Sequence, residues 1–205
     1  MKVGILMLNE NLEQRELFNK FYKITDQAID KAVSFQDIDG LSVSQNELIR
    51  DCIKRTLITA KKENNCNEVA VACNSTRFGT EYGDAHGVDI DFNINIKAII
   101  NDEENFCVLF HNHPSTQTFS LQDLDYFLRH KQINVFGIVS NLGDVELLFR
   151  RYNTVGDDFK ETEKKLNIGY NKAIAECTSL TDKNLYTIAK KALKKFKQYG
   201  YYRRL

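Results

Sequence analysis

Two histidines separated by one residue follow an apolar run at residues 106–110, which predicts a buried strand that carries them at its end. Side chains two positions apart on a strand point to the same side, so His111 and His113 can present two imidazoles to one metal ion. Asn112 then points the other way. Pro114, the only proline of the chain, cannot donate to a strand ladder and is expected to end the pairing.

A serine and an aspartate, three residues apart, stand at the predicted start of the next helix. The loop before Ser120 and Asp123 can return the carboxylate toward His111 and His113, where it supplies a third ligand. Two histidines, one carboxylate and an open fourth position are typical of catalytic zinc, which lowers the pKa of a bound water to about 7. The pattern therefore predicts a zinc site for hydrolysis, with the Ser120 hydroxyl able to donate to a developing oxyanion.

Hydrolysis at such a site needs a group that accepts the proton of the water and delivers it to the leaving amine. Glu68 is the candidate for this general acid/base, because it immediately precedes the apolar run at residues 69–73. Glu81, in the polar segment at residues 74–87, is the alternative. A solvated surface position is the ordinary explanation for a glutamate of this kind, and the position before a buried strand favours Glu68.

The order of these residues resembles the JAMM or MPN-type (JAB domain) zinc metalloproteases over residues 44–152. The matching residues are Glu68, His111, His113, Pro114, Ser120 and Asp123, and the six residues between His113 and Ser120 form a shorter loop than is usual in the family. The resemblance implies that the histidines and the aspartate bind zinc, that the glutamate is the general acid/base and that the serine stabilises the oxyanion. It also implies cleavage of an isopeptide or peptide bond at a ubiquitin-like protein.

The same resemblance implies an α/β (α+β) fold with a mixed β-sheet flanked by helices and a JAB/MPN-like, cytidine-deaminase-like core. The expected division is an N-terminal helical extension at 1–43, the zinc hydrolase core at 44–152 and a basic helical region at 153–205. The sequence His-Asn-His-Pro-Ser is also similar to the RadC-like bacterial branch of the fold. Two further functions therefore stay open, a non-catalytic module that binds a protein partner and a nucleic-acid-associated protein.

Hydrophobic periodicity predicts the elements that must position these side chains. Strands are predicted at residues 69–73, 88–96, 106–110, 133–140 and 145–150, and the alternation of apolar and polar residues at 88–96 is strict. Helices are predicted at residues 11–35, from Ser44 with Glu47 in a capping box, at 120–131 and in the whole segment from Asp157 onward. Helices and strands are thus interleaved in the core.

The composition, 42% hydrophobic and 27% charged, is that of a soluble globular protein, and no run approaches the roughly 20 apolar residues of a membrane helix. Neither disorder nor membrane spanning is expected. The cysteines are Cys52, Cys66, Cys73, Cys107 and Cys177. Their odd number without a Cys-x-x-Cys pair predicts a reducing, cytoplasmic setting with buried structural thiols.

Charges are segregated along the chain although 28 basic residues balance 28 acidic ones. Residues 151–205 contain 13 Lys/Arg and 6 Asp/Glu, and residues 183–205 contain eight Lys/Arg and no acid. Such a region can meet nucleic acid or an acidic partner, and it can equally be a solvated helix face, which is the ordinary explanation. A membrane partner is not expected.

Overall fold

A computed structural model describes residues 20–150, 157–175 and 182–205. In chain order the elements are α1 (Asp26–Val33), α2 (Val43–Glu63), β1 (Val69–Cys73), β2 (Phe78–Tyr82), α3 (Ile94–Ile100), β3 (Cys107–His113), α4 (Leu121–Arg129), β4 (Ile133–Ser140), β5 (Val145–Phe149), α5 (Asp157–Ala175), α6 (Asp182–Gln198) and β6 (Tyr202–Arg204). The fold is therefore mixed α/β, as expected. Among the described helices, none has the length and apolar character needed to cross a membrane.

The six strands form one mixed sheet in the order β2-β1-β3-β4-β5-β6. β3 and β4 are parallel, and every other neighbouring pair is antiparallel. Parallel neighbours require a crossover connection, and α4 provides it between these two strands. As a result, the end of β3 and the beginning of α4 lie close together at one end of the sheet.

Two hydrophobic cores cover the two faces of the sheet. α1 and α2 pack on one face, where Ile49, Ile53 and Leu57 of α2 are fully buried. α3, α4, α5 and α6 pack on the other face, to which Phe127 and Phe196 contribute. β3 lies between the two cores and all its residues are buried, which explains the continuous apolar run of its first four residues, Cys107–Phe110. The predicted strands at 69–73, 106–110, 133–140 and 145–150 are confirmed, with differences of at most a few residues at their ends.

The strand predicted at residues 88–96 is wrong. Residues 88–93 have no regular strand pairing, and α3 begins at Ile94. The side chain of Asn93 accepts a hydrogen bond from the Ile96 amide at 2.9 Å and so caps the helix. Ile96, Ile99 and Ile100 are buried, whereas Ile94 is 81% exposed. Burial at helical spacing and a capping asparagine therefore override the two-residue alternation.

Two edge strands, β2 and β6, were not predicted. β2 lies in the segment at 74–87 that was expected to be a loop, and β6 lies in the C-terminal region that was expected to be entirely helical. Both expectations are wrong for the same physical reason. An edge strand that is half exposed has no continuous apolar run, and β6 is only three residues long.

The beginning of α2 also differs from the prediction. Ser42, rather than Ser44, is the N-cap: its Oγ accepts from the Gln45 amide at 3.2 Å, and Gln45 Oε1 accepts from the Ser42 amide at 2.8 Å. The predicted pairing of Ser44 with Glu47 is therefore wrong. The helix predicted at residues 11–35 is present only in part, as α1. Residues 20–25 are not helical, and residues 11–19 lie outside the described residues.

Candidate metal centre

β1 and β3 bring one glutamate and two histidines to the same face of the sheet. These strands are antiparallel, with Ala70 opposite His111. Continuing the same register places Glu68, just before β1, opposite His113. Alternate residues of a strand share a face, so all three side chains lie on the side of the sheet where Phe136 contacts His111, with ring centroids 5.6 Å apart. The small side chain of Ala70 leaves room beside the imidazoles.

The ligand atoms of these three residues converge on one point. One ligand atom each from Glu68, His111 and His113 lies within 4.8 Å of the other two, and all three residues are buried. The Nε2 atoms of the two histidines are 2.9 Å apart. Ligand nitrogens of a tetrahedral zinc ion stand about 3.3 Å apart, so the imidazoles need to separate by only about half an ångström. This donor set, two imidazoles and a carboxylate, can hold a metal ion.

The orientation of His113 is fixed by a hydrogen bond on the far side of its ring. Its Nδ1 lies 2.9 Å from the carbonyl oxygen of Gln117, in the loop after β3. A carbonyl oxygen can only accept, so Nδ1 carries the proton and Nε2 presents its lone pair to the convergence point. A backbone carbonyl in this position is the usual partner of a metal-binding histidine.

Ser120 and Asp123 lie at the N-terminus of α4, as the sequence predicts, and they form a capping box. Ser120 Oγ accepts from the Asp123 amide at 3.1 Å, and Asp123 Oδ2 accepts from the Ser120 amide at 2.7 Å. The other carboxylate oxygen, Oδ1, lies 3.4 Å from His111 Nε2. The aspartate thus borders the cluster of Glu68 and the two histidines with one oxygen, while the second oxygen holds the start of the helix.

Asn112, between the two histidines, points to the opposite side of β3 and is fully buried. Its Oδ1 accepts from the Val69 amide at 2.7 Å, and its Nδ2 donates to the Asn67 carbonyl at 3.1 Å. The same Nδ2 donates to Asn141 Oδ1 at 2.8 Å. The amide of Asn112 therefore holds the chain on both sides of Glu68, which fixes that residue relative to the histidines.

Asn141 extends this polar network to the end of β3 and to the segments around Cys66 and Tyr22. Its amide N–H donates to the His113 carbonyl at 2.9 Å, and its Nδ2 donates to the carbonyl oxygens of Cys66 and Tyr22 at 2.9 and 2.7 Å. The Tyr22 amide in turn donates to the carbonyl of Pro114 at 2.9 Å. The segment before α1 is thus tied to the loop that follows the second histidine.

Burial changes the protonation of two members of the cluster. Desolvation raises the pKa of Glu68 to about 7; the nearby His113 opposes this change, and the carboxylates of Asp123 and Asp84 add to it. Desolvation lowers the pKa of His111 to about 4, against the attraction of Asp123. A glutamate that titrates near neutral pH beside a neutral imidazole can exchange protons, and a neutral imidazole can bind a metal ion.

The alternative base, Glu81, is not brought to the histidines. It lies on β2 opposite Ala70, so β1 separates it from His111 by two strand spacings, roughly 10 Å. Its carboxylate accepts from Asn93 Nδ2 at 2.7 Å. Among the other histidines, His130 stacks on Tyr126 at the end of α4, away from the cluster.

Sequence reasoning missed the positioning role of Asn112 and Asn141. A signal for it was present, because an asparagine between two residues of a buried strand must itself be buried, and a buried amide requires hydrogen-bond partners. The backbone carbonyl of Gln117 had no signal in the sequence, since any residue offers a carbonyl. Its position depends on the path of the loop between β3 and α4.

A polar cleft lies between the loop after β3 and the strands β4, β5 and β6. Gln117, which holds His113, and Ser140, which pairs with His113 across β3 and β4, both line it. Arg204 of β6 stands at its far side.

Comparison of the chain with known proteins gives no family assignment: no protein-family model matches it, and neither a curated protein nor a solved structure is significantly similar to it.

Proposed function

We propose that this chain is a zinc-dependent metallohydrolase of the JAMM type that cleaves an amide or isopeptide bond, with a ubiquitin-like protein or a peptide as substrate. The single observation that carries the proposal is the convergence of Glu68, His111 and His113 on one point, with Asp123 beside them. These are the residues that the resemblance to the JAMM family singles out. The six-stranded mixed sheet supports a JAB/MPN-like, cytidine-deaminase-like core.

Zinc is the metal that fits this donor set best. Imidazole nitrogen combined with carboxylate oxygen suits zinc, whereas calcium and magnesium prefer oxygen ligands alone. In this proposal His111, His113 and Asp123 would hold the ion. Asp123, whose Oδ1 lies 3.4 Å from His111 Nε2, would be the carboxylate ligand instead of Glu68, which leaves Glu68 to act as the base. When bound, zinc would supply Lewis-acid activation of water and of the scissile carbonyl at neutral pH.

Glu68 is the general acid/base in this proposal. Its carboxylate stands beside both imidazoles in a buried position, and its raised pKa, about 7, allows it to take up and release a proton near neutral pH. It would accept the proton of the attacking water and pass it to the leaving amine. A surface glutamate with an ordinary pKa would be a poorer acid in the second step.

Ser120 is the residue that stabilises the oxyanion in this proposal. Its Oγ already accepts a hydrogen bond from the Asp123 amide, so its own hydroxyl hydrogen remains able to donate, and the residue is exposed.

The cysteines support a reducing compartment, and we place the protein in the cytoplasm. Cys52, Cys66, Cys73 and Cys107 are buried free thiols, and desolvation raises the pKa of Cys107 to about 12, which keeps that thiol protonated and unreactive.

Metal analysis and hydrolysis assays test this function together. We expect about one zinc ion per purified chain, and almost none in the His111→Ala variant. A panel of ubiquitin-like proteins fused at the C-terminus to a reporter is then offered as substrate. Glu68→Gln should retain zinc and lose roughly 10²- to 10⁴-fold in the rate of cleavage.

Two results would contradict the proposal. If the wild-type protein binds no zinc, the assignment of the metal site is contradicted. If Glu68→Gln cleaves the substrate as fast as wild type, the assignment of Glu68 as the base is contradicted. Stoichiometric zinc without cleavage of any fusion would favour the non-catalytic, protein-binding module instead.

A further inference from the structure

The C-terminal helix α6 carries a stripe of lysines on its outer side. Lys190, Lys194 and Lys197 are all exposed, and their spacing of four and three residues places them in one line along the helix. The line is about 10 Å long, given a rise of 1.5 Å per residue. Lys191 and Lys195, also exposed, stand beside it. The line of Lys190, Lys194 and Lys197 is called the lysine stripe below.

No acidic residue interrupts the lysine stripe. Residues 183–205 contain no Asp or Glu, and within the described part of the chain none of Lys190, Lys194 and Lys197 pairs with a carboxylate. Among the residues that the structure describes, no carboxylate therefore neutralises the charge of these three lysines. The net charge of the whole chain is zero, but the surface of this helix is strongly basic.

Two aromatic rings accompany the stripe. Lys190 Nζ lies 4.7 Å from the ring centroid of Tyr186, and Lys197 Nζ lies 4.5 Å from that of Tyr202. Both tyrosines are only partly buried. Proteins that bind single-stranded nucleic acids often combine cationic side chains with partly exposed aromatic rings. The cations bind the phosphates, and the bases stack on the rings.

The opposite side of α6 excludes insertion into a lipid surface. Ile188, Ala189, Ala192, Leu193 and Phe196 are buried in the core against α4 and α5. An amphipathic helix binds a membrane through its apolar face, and this face is already covered by the protein. The lysines can therefore act only as a charged surface, for which a regular line of phosphates is the matching partner.

We propose that the lysine stripe of α6 binds the phosphate backbone of a single-stranded nucleic acid without reading its sequence. Lys190, Lys194 and Lys197, spread over about 10 Å, would each contact one phosphate of the strand. The binding is independent of the metal site, which α6 does not enter.

The test is the binding of the full-length chain to a fluorescent single-stranded DNA of about 20 nucleotides, followed by anisotropy over a range of salt concentrations. Three phosphate contacts predict a slope of log affinity against log salt of about −2. The Lys190→Glu/Lys194→Glu variant should have at least tenfold lower affinity for the DNA at low salt. The magnitude of its slope should fall below about 1. Circular dichroism checks that the variant is folded.

The matched control is Lys54→Glu/Lys62→Glu, which makes the same charge change at two exposed lysines of α2, on the other face of the sheet. This control should bind DNA as wild type does. The proposal is overturned if wild type does not bind the DNA, or if both double variants lose affinity equally, which would show only an effect of net charge. Stronger binding to vesicles containing phosphatidylserine than to the DNA would overturn it in favour of a membrane surface.

Discussion

Asn112 holds the backbone on both sides of Glu68, with its Oδ1 on the Val69 amide and its Nδ2 on the Asn67 carbonyl. The residue that separates the two histidines in sequence therefore also sets where the glutamate stands. One strand position thus links the two histidines, which could bind a metal ion, to the glutamate that we propose as the general acid/base. The metal centre depends on a side chain that points away from it.

The first prediction concerns this link. Asn112→Ala should lower the free energy of unfolding by about 2 to 4 kcal/mol, because buried backbone groups lose their partners. It should also weaken zinc binding by at least about tenfold, the usual effect of losing an outer positioning group. Denaturant unfolding and competition with a zinc chelator measure the two quantities.

Asn46→Ala is the control for this variant. Asn46 is equally buried and also forms hydrogen bonds to backbone groups, at Ile38 and Ser42. It lies in α2, which packs on the face of the sheet opposite to the two histidines. It should cost comparable stability and leave zinc affinity unchanged. If both variants, or neither, lower zinc affinity, Asn112 has no specific positioning role.

The second prediction concerns stabilisation by metal. A ligand that binds only the folded state stabilises it by about 4 kcal/mol at a thousand times its Kd. Zinc added to chelator-treated protein should therefore raise Tm by several degrees. His113→Ala should abolish this shift, whereas His130→Ala, which changes a histidine stacked on Tyr126, should keep it. An equal shift in all three proteins would mean that zinc binds elsewhere.

The third prediction concerns pH. The pKa of Glu68 is raised from 4.5 to about 7 on folding, so its contribution to stability is complete below about pH 4.5 and is lost as pH rises through 7. Relative to Glu68→Gln, metal-free wild type should therefore lose about 2 to 3 kcal/mol between pH 5 and pH 8. Denaturant unfolding of both proteins at each pH measures this difference.

The comparison between the two proteins also cancels an opposing titration. The pKa of His111 is lowered from 6.5 to about 4, so its contribution is lost as pH falls through 4 to 6.5, in both wild type and variant. Parallel stability curves for the two proteins would show that Glu68 does not titrate near neutral pH.

The fourth prediction separates the two roles of the capping box. Ser120→Ala removes the N-cap acceptor of α4 and should cost about 1 kcal/mol of stability without changing zinc affinity. Asp123→Asn keeps an oxygen for the Ser120 amide but removes the negative charge beside His111, so zinc affinity should fall while stability stays near that of wild type. The reverse pattern would make Asp123 a purely structural cap.

The sequence predicted the parts of this molecule that depend on local pattern. β3 is buried on both faces and begins with a continuous apolar run, and the capping residues Ser120 and Asp123 mark the start of α4. The failures have physical causes of their own. Asn93 caps a helix in a segment whose alternation is that of a strand, and β2 is a strand only because β1 pairs with it.

The site was predictable to the same extent. His111 and His113 follow from strand geometry, because two residues on one strand share a face. That Glu68, and not Glu81, reaches them depends on the pairing of β1 with β3, which a single sequence does not contain. The network of Asn112 and Asn141 likewise requires knowledge of which strand ends meet.

The register of β1 against β3 has a consequence for folding. A slip of one residue would turn the side chains of a strand to its other face, which would carry both imidazoles into the apolar layer beneath α2 and away from any carboxylate of α4. Glu68 and His111 are also distant in sequence, so the proposed base reaches the histidines only after β1 has paired with β3. A metal ion bound at this point would therefore stabilise only those chains in which β3 has paired in its native register, and it would disfavour chains with a slipped register during folding.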